Sequence, residues 1–240
     1  MTTLVGIKAN EGREGVVIAS DYQVSEEDGR GYLISKSPRS KIDAGPFWAM
    51  AHAGGDALPV REFYKFLKGN KGNNPNKKKA RSTILSAIDD LHFPEVVELN
   101  TKLSAKGNEE DAVSFLLAIN DPELNLYLVD SYGNIKGPND ESDFDYICLG
   151  SGGEKAENYI KDLLAQEKID RDEISLKEAI YVARGAIGAA ETEAGTGMGF
   201  NLVVLVKGEI GEYGKEMRSE LRKTEEASLE KIVKHYVETS

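Results

Sequence analysis

The order of strand-like and helix-like segments in this 240-residue chain predicts an α+β fold with two antiparallel sheets. Short β-branched or apolar stretches alternate with turn sequences of the kind that join antiparallel strands. The segments with helical spacing come in two pairs, one in each half of the chain. Chains that segregate helices from antiparallel strands cover their sheets with helical layers, so we expect two sheets between two layers of helices.

Local patterns place the individual elements. The clearest helix start is Ser175, because Glu178 completes a capping box in which each side chain satisfies the other's backbone N–H. Apolar positions on one helical stripe of the charged tail predict a terminal helix within 215–237. In chain order, we predict strands at 3–8, 15–20, 32–35, 47–51, 112–119, 124–130, 146–149 and 200–206, and helices at about 56–68, 82–90, 154–166 and 175–190.

The composition fits one globular domain. Hydrophobic residues make up 40% and charged residues 30% of the chain, so we expect a domain over 1–214 and a helical extension over 215–240. The longest apolar runs are strand-length, and the start has no signal-peptide stretch, so we expect a cytoplasmic protein with no membrane partner. A net charge of −11 argues against nucleic acid as a partner.

Most familiar catalytic motifs are missing from the sequence. It has three histidines, and it contains neither a GxSxG elbow, nor an HExxH pair, nor a phosphate-binding loop. The glycine-rich segments 150–153 and 195–199 are weak nucleotide signals, because neither has a lysine directly after its last glycine. The single cysteine, Cys148, excludes an intrachain disulfide and a CxxC-type metal site. We therefore expect no metal and no cofactor.

The N-terminus offers a different chemistry. Removal of Met1 would leave Thr2 with a free α-amine, whose ordinary pKa of about 7.7–8.0 suits a base near neutrality. Thr2 would then supply both a hydroxyl nucleophile and its base. Such a site also needs a cation that lowers the pKa of the amine, a carboxylate that holds the cation, and an oxyanion hole. Because Thr2 follows Met1 directly, we expect ordinary methionine removal to form the site.

Five segments, in matching order, resemble a proteasome β-type subunit. They are 2–7, 15–21, 51–57 with its Gly-Gly-Asp-Ala end, the Gly-Ser-Gly at 150–152, and 193–206, where Glu-x-x-Thr-Gly leads into an apolar strand. The resemblance implies an N-terminal nucleophile hydrolase fold, a four-layer αββα sandwich assembled into homo-oligomeric rings. It also implies a threonine-type endopeptidase that acts on peptides or unfolded polypeptides, together with other proteasome-type subunits or an ATP-driven unfoldase.

The same resemblance implies roles for individual residues. Thr2 matches the nucleophile, Asp21 the carboxylate that orients the catalytic lysine, and Ser151 the serine near the amine. The acidic and hydroxyl residues of the late motif are Glu193 and Thr196. Both keep the chemical type of the family's residues, although the glutamate reaches one methylene further.

The catalytic lysine has two candidates. A count from Asp21 lands on Ser37, which cannot serve as a cation. An insertion at 28–31 would shift the match to Lys41, which we favour, and Lys36 is the alternative.

The oxyanion hole and the substrate pocket are also implied by the resemblance. The glycine whose backbone N–H forms the oxyanion hole aligns with His52, and a small shift in the alignment would give that role to Gly54. Val24, Met50 and Gly54 would line the pocket for the side chain before the cleaved bond, which favours an apolar residue there.

Two alternatives to peptide hydrolysis stay open. A protein of the same fold can act as an amidase or transpeptidase that passes the acyl group to an amine. A non-catalytic ring subunit is the other alternative, which the retained Thr2, Asp21 and Ser151 disfavour.

Overall fold

The structure is a computed structural model. It describes residues 2–12, 14–21, 23–27, 33–38, 41–44, 48–54, 113–120, 124–130, 135–137, 146–166, 168–170, 173–191 and 200–206, with the backbone alone at 23–27, 33–38 and 135. Its strands are β1 (Thr3–Ala9), β2 (Gly15–Asp21), β3 (Gln23–Glu27), β4 (Leu33–Pro38), β5 (Ile42–Ala44), β6 (Trp48–Ala53), β7 (Ser114–Asn120), β8 (Leu124–Val129), β9 (Ile135–Lys136), β10 (Tyr146–Gly150) and β11 (Phe200–Val206). Its helices are α1 (Gly153–Ala165) and α2 (Leu176–Ala190).

The first sheet brings the start of the chain together with its second half. Its spatial order is β10-β1-β2-β11, and all neighbours are antiparallel. β1 and β2, predicted as strands at 3–8 and 15–20, form a hairpin and are almost fully buried, because other layers cover both faces of this sheet. The β1–β10 pairing sets Thr3 opposite Gly150, so the N-terminus lies beside the end of β10.

The second sheet has the order β5-β6-β7-β8-β9 and is also antiparallel. Its strands β7 and β8, predicted at 112–119 and 124–130, pair as an antiparallel hairpin. In β8, buried and partly exposed positions alternate, as expected where one face meets a core. The third group is a separate two-stranded hairpin of β3 and β4.

Helices α1 and α2 pack against each other and cover one face of the first sheet. The predicted capping box is present: the Ser175 side chain accepts from the Glu178 backbone N–H, and the Glu178 carboxylate accepts from the Ser175 backbone N–H at 2.9 Å. A Cβ at Gly185 of α2 would overlap the Tyr159 ring of α1, so the glycine permits close helix contact.

Two apolar cores separate these layers. The helix-side core lies between the first sheet and the helices and includes Val5, Val17, Ile160 and Ile180. The inter-sheet core joins the two sheets; its members include Leu4, Val16, Ile18, Ile42, Ala51, Leu116, Leu126 and Val203. The described residues therefore form a helical layer on two stacked antiparallel sheets.

Several predicted elements lie outside the described residues. These are the helices at 56–68 and 82–90 and the terminal helix within 215–237. Within the described ranges, no helix has both the length and the apolar character that a membrane crossing requires.

The structure adds strands that the sequence analysis missed. β3 lies where the sequence predicts no strand, because Ser25, Glu26 and Glu27 lack the alternation of a half-buried strand. Its pairing is local, with β4 alone, and includes a register shift at Glu26–Glu27. The short strands β5 and β9 were also missed, because two or three residues are too few to show a period.

Candidate active site

A buried ion pair between Asp21 and Lys41 is the centre of the candidate site. Asp21 ends β2 of the first sheet, and Lys41 directly precedes β5 of the second. The Lys41 Nζ donates to Asp21 Oδ1 at 2.8 Å and to Oδ2 at 2.7 Å. The two side chains are 4% and 0% exposed, so the pair links the sheets in surroundings that exclude water. A carboxylate this deeply buried would be strongly destabilising without its cation.

The electrostatics of Lys41 reflect this burial. Loss of hydration is the largest influence and lowers the pKa of Lys41 from its ordinary value of 10.5. The negative charge of Asp21 and the hydrogen bond to it act in the opposite direction. Asp21 thus sustains the charged form of a lysine that burial disfavours.

The same carboxylate reaches the start of the chain. The backbone N–H of Thr3 donates to Asp21 Oδ1 at 2.7 Å. That N–H belongs to the peptide group between Thr2 and Thr3, and Thr2 itself is 9% exposed. Asp21 therefore ties Lys41 to the backbone beside Thr2, the residue predicted to be the nucleophile.

The turn after β10 approaches Thr2 from the other side. The Ser151 hydroxyl donates to the Thr2 carbonyl oxygen in a long hydrogen bond of 3.5 Å. Ser151 is exposed and directly precedes the N-terminal end of α1. The structure thus brings together four predicted site residues: Thr2, Asp21, Lys41 and Ser151.

Gly150 is a site residue for which the sequence analysis assigned no role. Its φ of +86° lies in the left-handed region that favours glycine. A Cβ there would overlap the carbonyl oxygen of Thr2 and lie 2.7 Å from its carbonyl carbon. The available signal was the glycine directly before Ser151, but only the close approach of β10 to Thr2 reveals why it is required.

The end of β6 carries the two candidates for the oxyanion hole. His52 is partly buried and pairs with Phe115 of β7, and Gly54 follows the strand in an exposed turn with φ +121°. The β5–β6 ladder pairs Ile42 with Ala51, so its continuation sets Lys41 opposite His52. His52 therefore lies on the strand next to the ion pair, and Gly54 comes directly after that strand.

The surroundings of the ion pair change the pKa of His52. Burial lowers the pKa of His52 from its ordinary value of 6.5, and the positive charge of Lys41 lowers it further. Asp43 acts in the opposite direction. These influences favour a neutral imidazole beside a charged lysine at neutral pH.

The predicted substrate pocket is described only in part. Met50 lies in β6 two residues before His52, so alternation puts both side chains on one face of the sheet, and Met50 is 1% exposed. Val24 lies in β3, where the backbone alone is described. Lys36 lies in β4, and its side chain is outside the described residues, as are Glu193 and Thr196.

The described part of the chain also bears on two other kinds of site, a cysteine nucleophile and a metal site. Burial raises the pKa of the Cys148 thiol well above its ordinary value, which disfavours the thiolate that a nucleophilic cysteine needs. Among the described residues, no group of three or more histidine, cysteine, aspartate or glutamate side chains is placed to hold a metal ion.

No family model matches the chain, and no curated protein matches it. The chain is, however, similar to solved structures. The chain is similar to eukaryotic HslV from Trypanosoma brucei, with 20% identity and a TM-score of 0.54, over 85% of this chain and 99% of that one. It is also similar to Anbu, an ancestral beta-subunit, from Yersinia bercovieri, with 13% identity and a TM-score of 0.59, over 87% of this chain and 83% of that one.

At these identities the likeness shows the fold. It is the proteasome-type fold shared by HslV and Anbu, so the resemblance seen in the sequence is confirmed at the level of architecture.

Proposed function

We propose that this protein is an N-terminal threonine hydrolase that cleaves peptide bonds. The observation that carries the proposal is the buried Asp21–Lys41 pair, whose carboxylate is hydrogen-bonded to the Thr3 N–H beside Thr2. The Lys41 cation and the Asp21 carboxylate that binds it therefore lie next to Thr2, the candidate nucleophile.

The chemistry begins once Met1 is removed. The free α-amine of Thr2 takes the proton of the Thr2 hydroxyl, directly or through a water molecule, and the hydroxyl oxygen attacks a peptide carbonyl. The amine then gives a proton to the departing amine of the substrate. A water molecule then gives a proton to the same α-amine and attacks the acyl carbonyl. The ester bond to Thr2 breaks, and the amine returns the proton to the Thr2 oxygen, which restores the hydroxyl.

The charge of Lys41 suits it to tune this base. A nearby cation disfavours protonation of the Thr2 amine and so keeps more of it in the basic form near neutral pH. Asp21 holds the lysine in place, and Ser151, Glu193 and Thr196 are proposed to hold the amine. A backbone N–H between His52 and Gly54 is proposed to stabilise the oxyanion.

The wider architecture is part of the proposal. We propose that the helices predicted at 56–68 and 82–90 cover the outer face of the second sheet and complete a four-layer αββα domain over 1–214. The extension at 215–240 would form a terminal helix. We propose assembly into a homo-oligomeric ring in the cytoplasm, with unfolded polypeptide as the substrate and an ATP-driven unfoldase or other proteasome-type subunits as partners. The fold similarity to HslV and Anbu supports this proposal.

Replacement of Thr2 tests the nucleophile. We expect Thr2→Ala to abolish cleavage of fluorogenic peptides and of an unfolded protein, whereas Thr2→Ser keeps a hydroxyl and retains part of the activity. Intact mass must first show that Met1 is absent from all three proteins. Activity of Thr2→Ala equal to that of the wild type would exclude the proposed nucleophile.

A parallel assay with an added amine acceptor separates hydrolysis from acyl transfer. Free carboxylate products support the proposed hydrolase, whereas ligated products would make the enzyme a transpeptidase that uses the same nucleophile.

A further inference from the structure

Two polar side chains lie opposite each other on the face of the first sheet that borders the inter-sheet core. Ser20 of β2 and Asn201 of β11 are direct partners in the antiparallel ladder. Ile18 and Val203, the next pair on the same face, belong to the inter-sheet core. Because side chains alternate along a strand, Ser20 and Asn201 point into that same layer.

Both side chains carry a polar atom that is buried from solvent and has no hydrogen-bond partner among the residues that the structure describes. Ser20 is 0% exposed, and within the described ranges its Oγ makes no hydrogen bond. The Nδ2 of Asn201 is also buried and makes none to the described part of the chain. By contrast, Nδ2 of Asn120, on the facing sheet, donates to the Val206 carbonyl at 2.8 Å. A buried hydroxyl or amide without a partner costs free energy, so native proteins satisfy such groups with protein or with ordered water.

The spacing of the two residues suits one bridging molecule. Cβ atoms of directly opposite residues in an antiparallel pair are about 4.5–5.5 Å apart. The serine hydroxyl can donate and accept, and the asparagine amide can do both as well. An internal water molecule typically makes two to four hydrogen bonds to groups of this kind.

We propose that Ser20 and Asn201 form a binding site for one internal water molecule in the inter-sheet core. The water donates to or accepts from the Ser20 hydroxyl and accepts from the Asn201 amide. Ser20 directly precedes Asp21, and Asn201 directly follows Phe200, the ladder partner of Asp21. The water therefore joins β2 to β11 at the residue pair next to the candidate site, whether or not Thr2 is a nucleophile.

Magnetisation transfer from water to side-chain amides tests the site in the wild-type protein. In protein labelled with ¹⁵N-asparagine, we expect the Asn201 amide to show a cross-peak to a long-lived water with the sign of a rigid contact. The Asn120 amide, bonded to a backbone carbonyl, is the internal control and shows none. No bound water at Asn201, or a high-resolution structure with a direct Ser20–Asn201 hydrogen bond in its place, overturns the proposal.

A double-mutant cycle tests whether the two residues share the site. We expect Ser20→Ala and Asn201→Leu each to lower the urea midpoint of unfolding, because each leaves a polar group unsatisfied. The double variant should lose clearly less than the sum of the two, because neither polar group remains. Ile18→Val and Val203→Ala, the apolar pair next along the same strands, measure the coupling that packing alone gives, and this coupling should be smaller. Additive losses at Ser20 and Asn201 contradict a shared water; should a variant fail to fold, the wild-type spectrum alone decides.

Discussion

Two lysine–carboxylate pairs in this protein have nearly the same shortest nitrogen–oxygen distance and opposite surroundings. In the candidate site, Lys41 Nζ is 2.7 Å from the Asp21 carboxylate. On α1, Lys161 Nζ is 2.6 Å from the Glu157 carboxylate one turn earlier. The side chains are 4% and 0% exposed in the first pair and 58% and 39% exposed in the second. Distance alone therefore does not distinguish a site from an ordinary surface contact.

The surroundings of each pair determine the direction in which the pKa of its lysine shifts. Burial is the largest influence on Lys41 and lowers its pKa. The hydrogen bond to Glu157 is the largest influence on Lys161 and raises its pKa. An exposed pair competes with water and salt, whereas a buried pair cannot lose one partner without leaving an uncompensated charge. The comparison predicts that the same substitution has very different effects at the two positions.

The largest effect is expected from Lys41→Met. Removal of the ammonium leaves the buried Asp21 carboxylate without its cation, which should lower the free energy of unfolding by about 3–5 kcal/mol. Peptide cleavage should also be lost, because nothing then lowers the pKa of the Thr2 amine. Urea unfolding followed by circular dichroism, together with the fluorogenic assay, measures both.

The matched variant at the alternative lysine is Lys36→Met. We expect it to keep most of the stability and activity. Full activity of Lys41→Met with loss in Lys36→Met would assign the catalytic cation to Lys36 and contradict the role given to the buried pair.

Gly150→Ala should give the next largest effect, because its Cβ would overlap the Thr2 carbonyl and its φ is +86°. Gly12→Ala is the matched control, since Gly12 also has a positive φ, +67°, but no atom within 4 Å of the added Cβ. Backbone strain alone costs about 1–2 kcal/mol, and Gly150→Ala should exceed this and reduce activity as well. Equal losses in the two variants would show that Gly150 does not position Thr2.

A smaller effect is expected from His52→Gln, and it depends on pH. The folded state holds the pKa of His52 below the ordinary 6.5. Below about pH 6.5, His52 therefore binds a proton in the unfolded state before it does so in the folded state. The stability from neutral His52 is thus present above that pH and is lost as the pH falls towards the lowered pKa.

We therefore expect the free energy of unfolding to fall less steeply on acidification in His52→Gln than in the wild type. Urea unfolding at a series of pH values between about 7.5 and 5.5 measures the difference. The other two histidines are present in both proteins, so the difference isolates His52. Parallel pH profiles would contradict the neutral imidazole.

The smallest effect completes the comparison. Lys161→Met removes the exposed partner of Glu157, and we expect no measurable change in unfolding or activity. A loss comparable to that of Lys41→Met would show that burial does not set the difference between the two pairs.

Elements with strong local signals were predictable from the sequence. The capping box at Ser175 and the β7–β8 hairpin depend on neighbouring residues, and the structure has both. The family resemblance predicted that Asp21 and Lys41 share one site, although they belong to different sheets. The structure joins them in an ion pair. Their catalytic roles stay predictions.

Features that depend on contacts between distant segments were not predictable. The requirement for glycine at position 150 comes from the approach of Thr2, far away in the chain. The pairing of Ser20 with Asn201 arises because β11 joins the sheet beside β2, and no local pattern encodes that neighbour. The electrostatic effect of Lys41 on His52 likewise appears only when β5 and β6 are aligned.

The central claim is that the amine and the hydroxyl of Thr2 act together, and covalent trapping tests it most directly. Protein whose intact mass shows loss of Met1 is treated with an epoxyketone or a β-lactone, digested, and mapped by tandem mass spectrometry. The account predicts one adduct, on Thr2, that is absent from Thr2→Ala and strongly reduced in Lys41→Met. Correctly processed, folded protein that carries no adduct on Thr2 would contradict it.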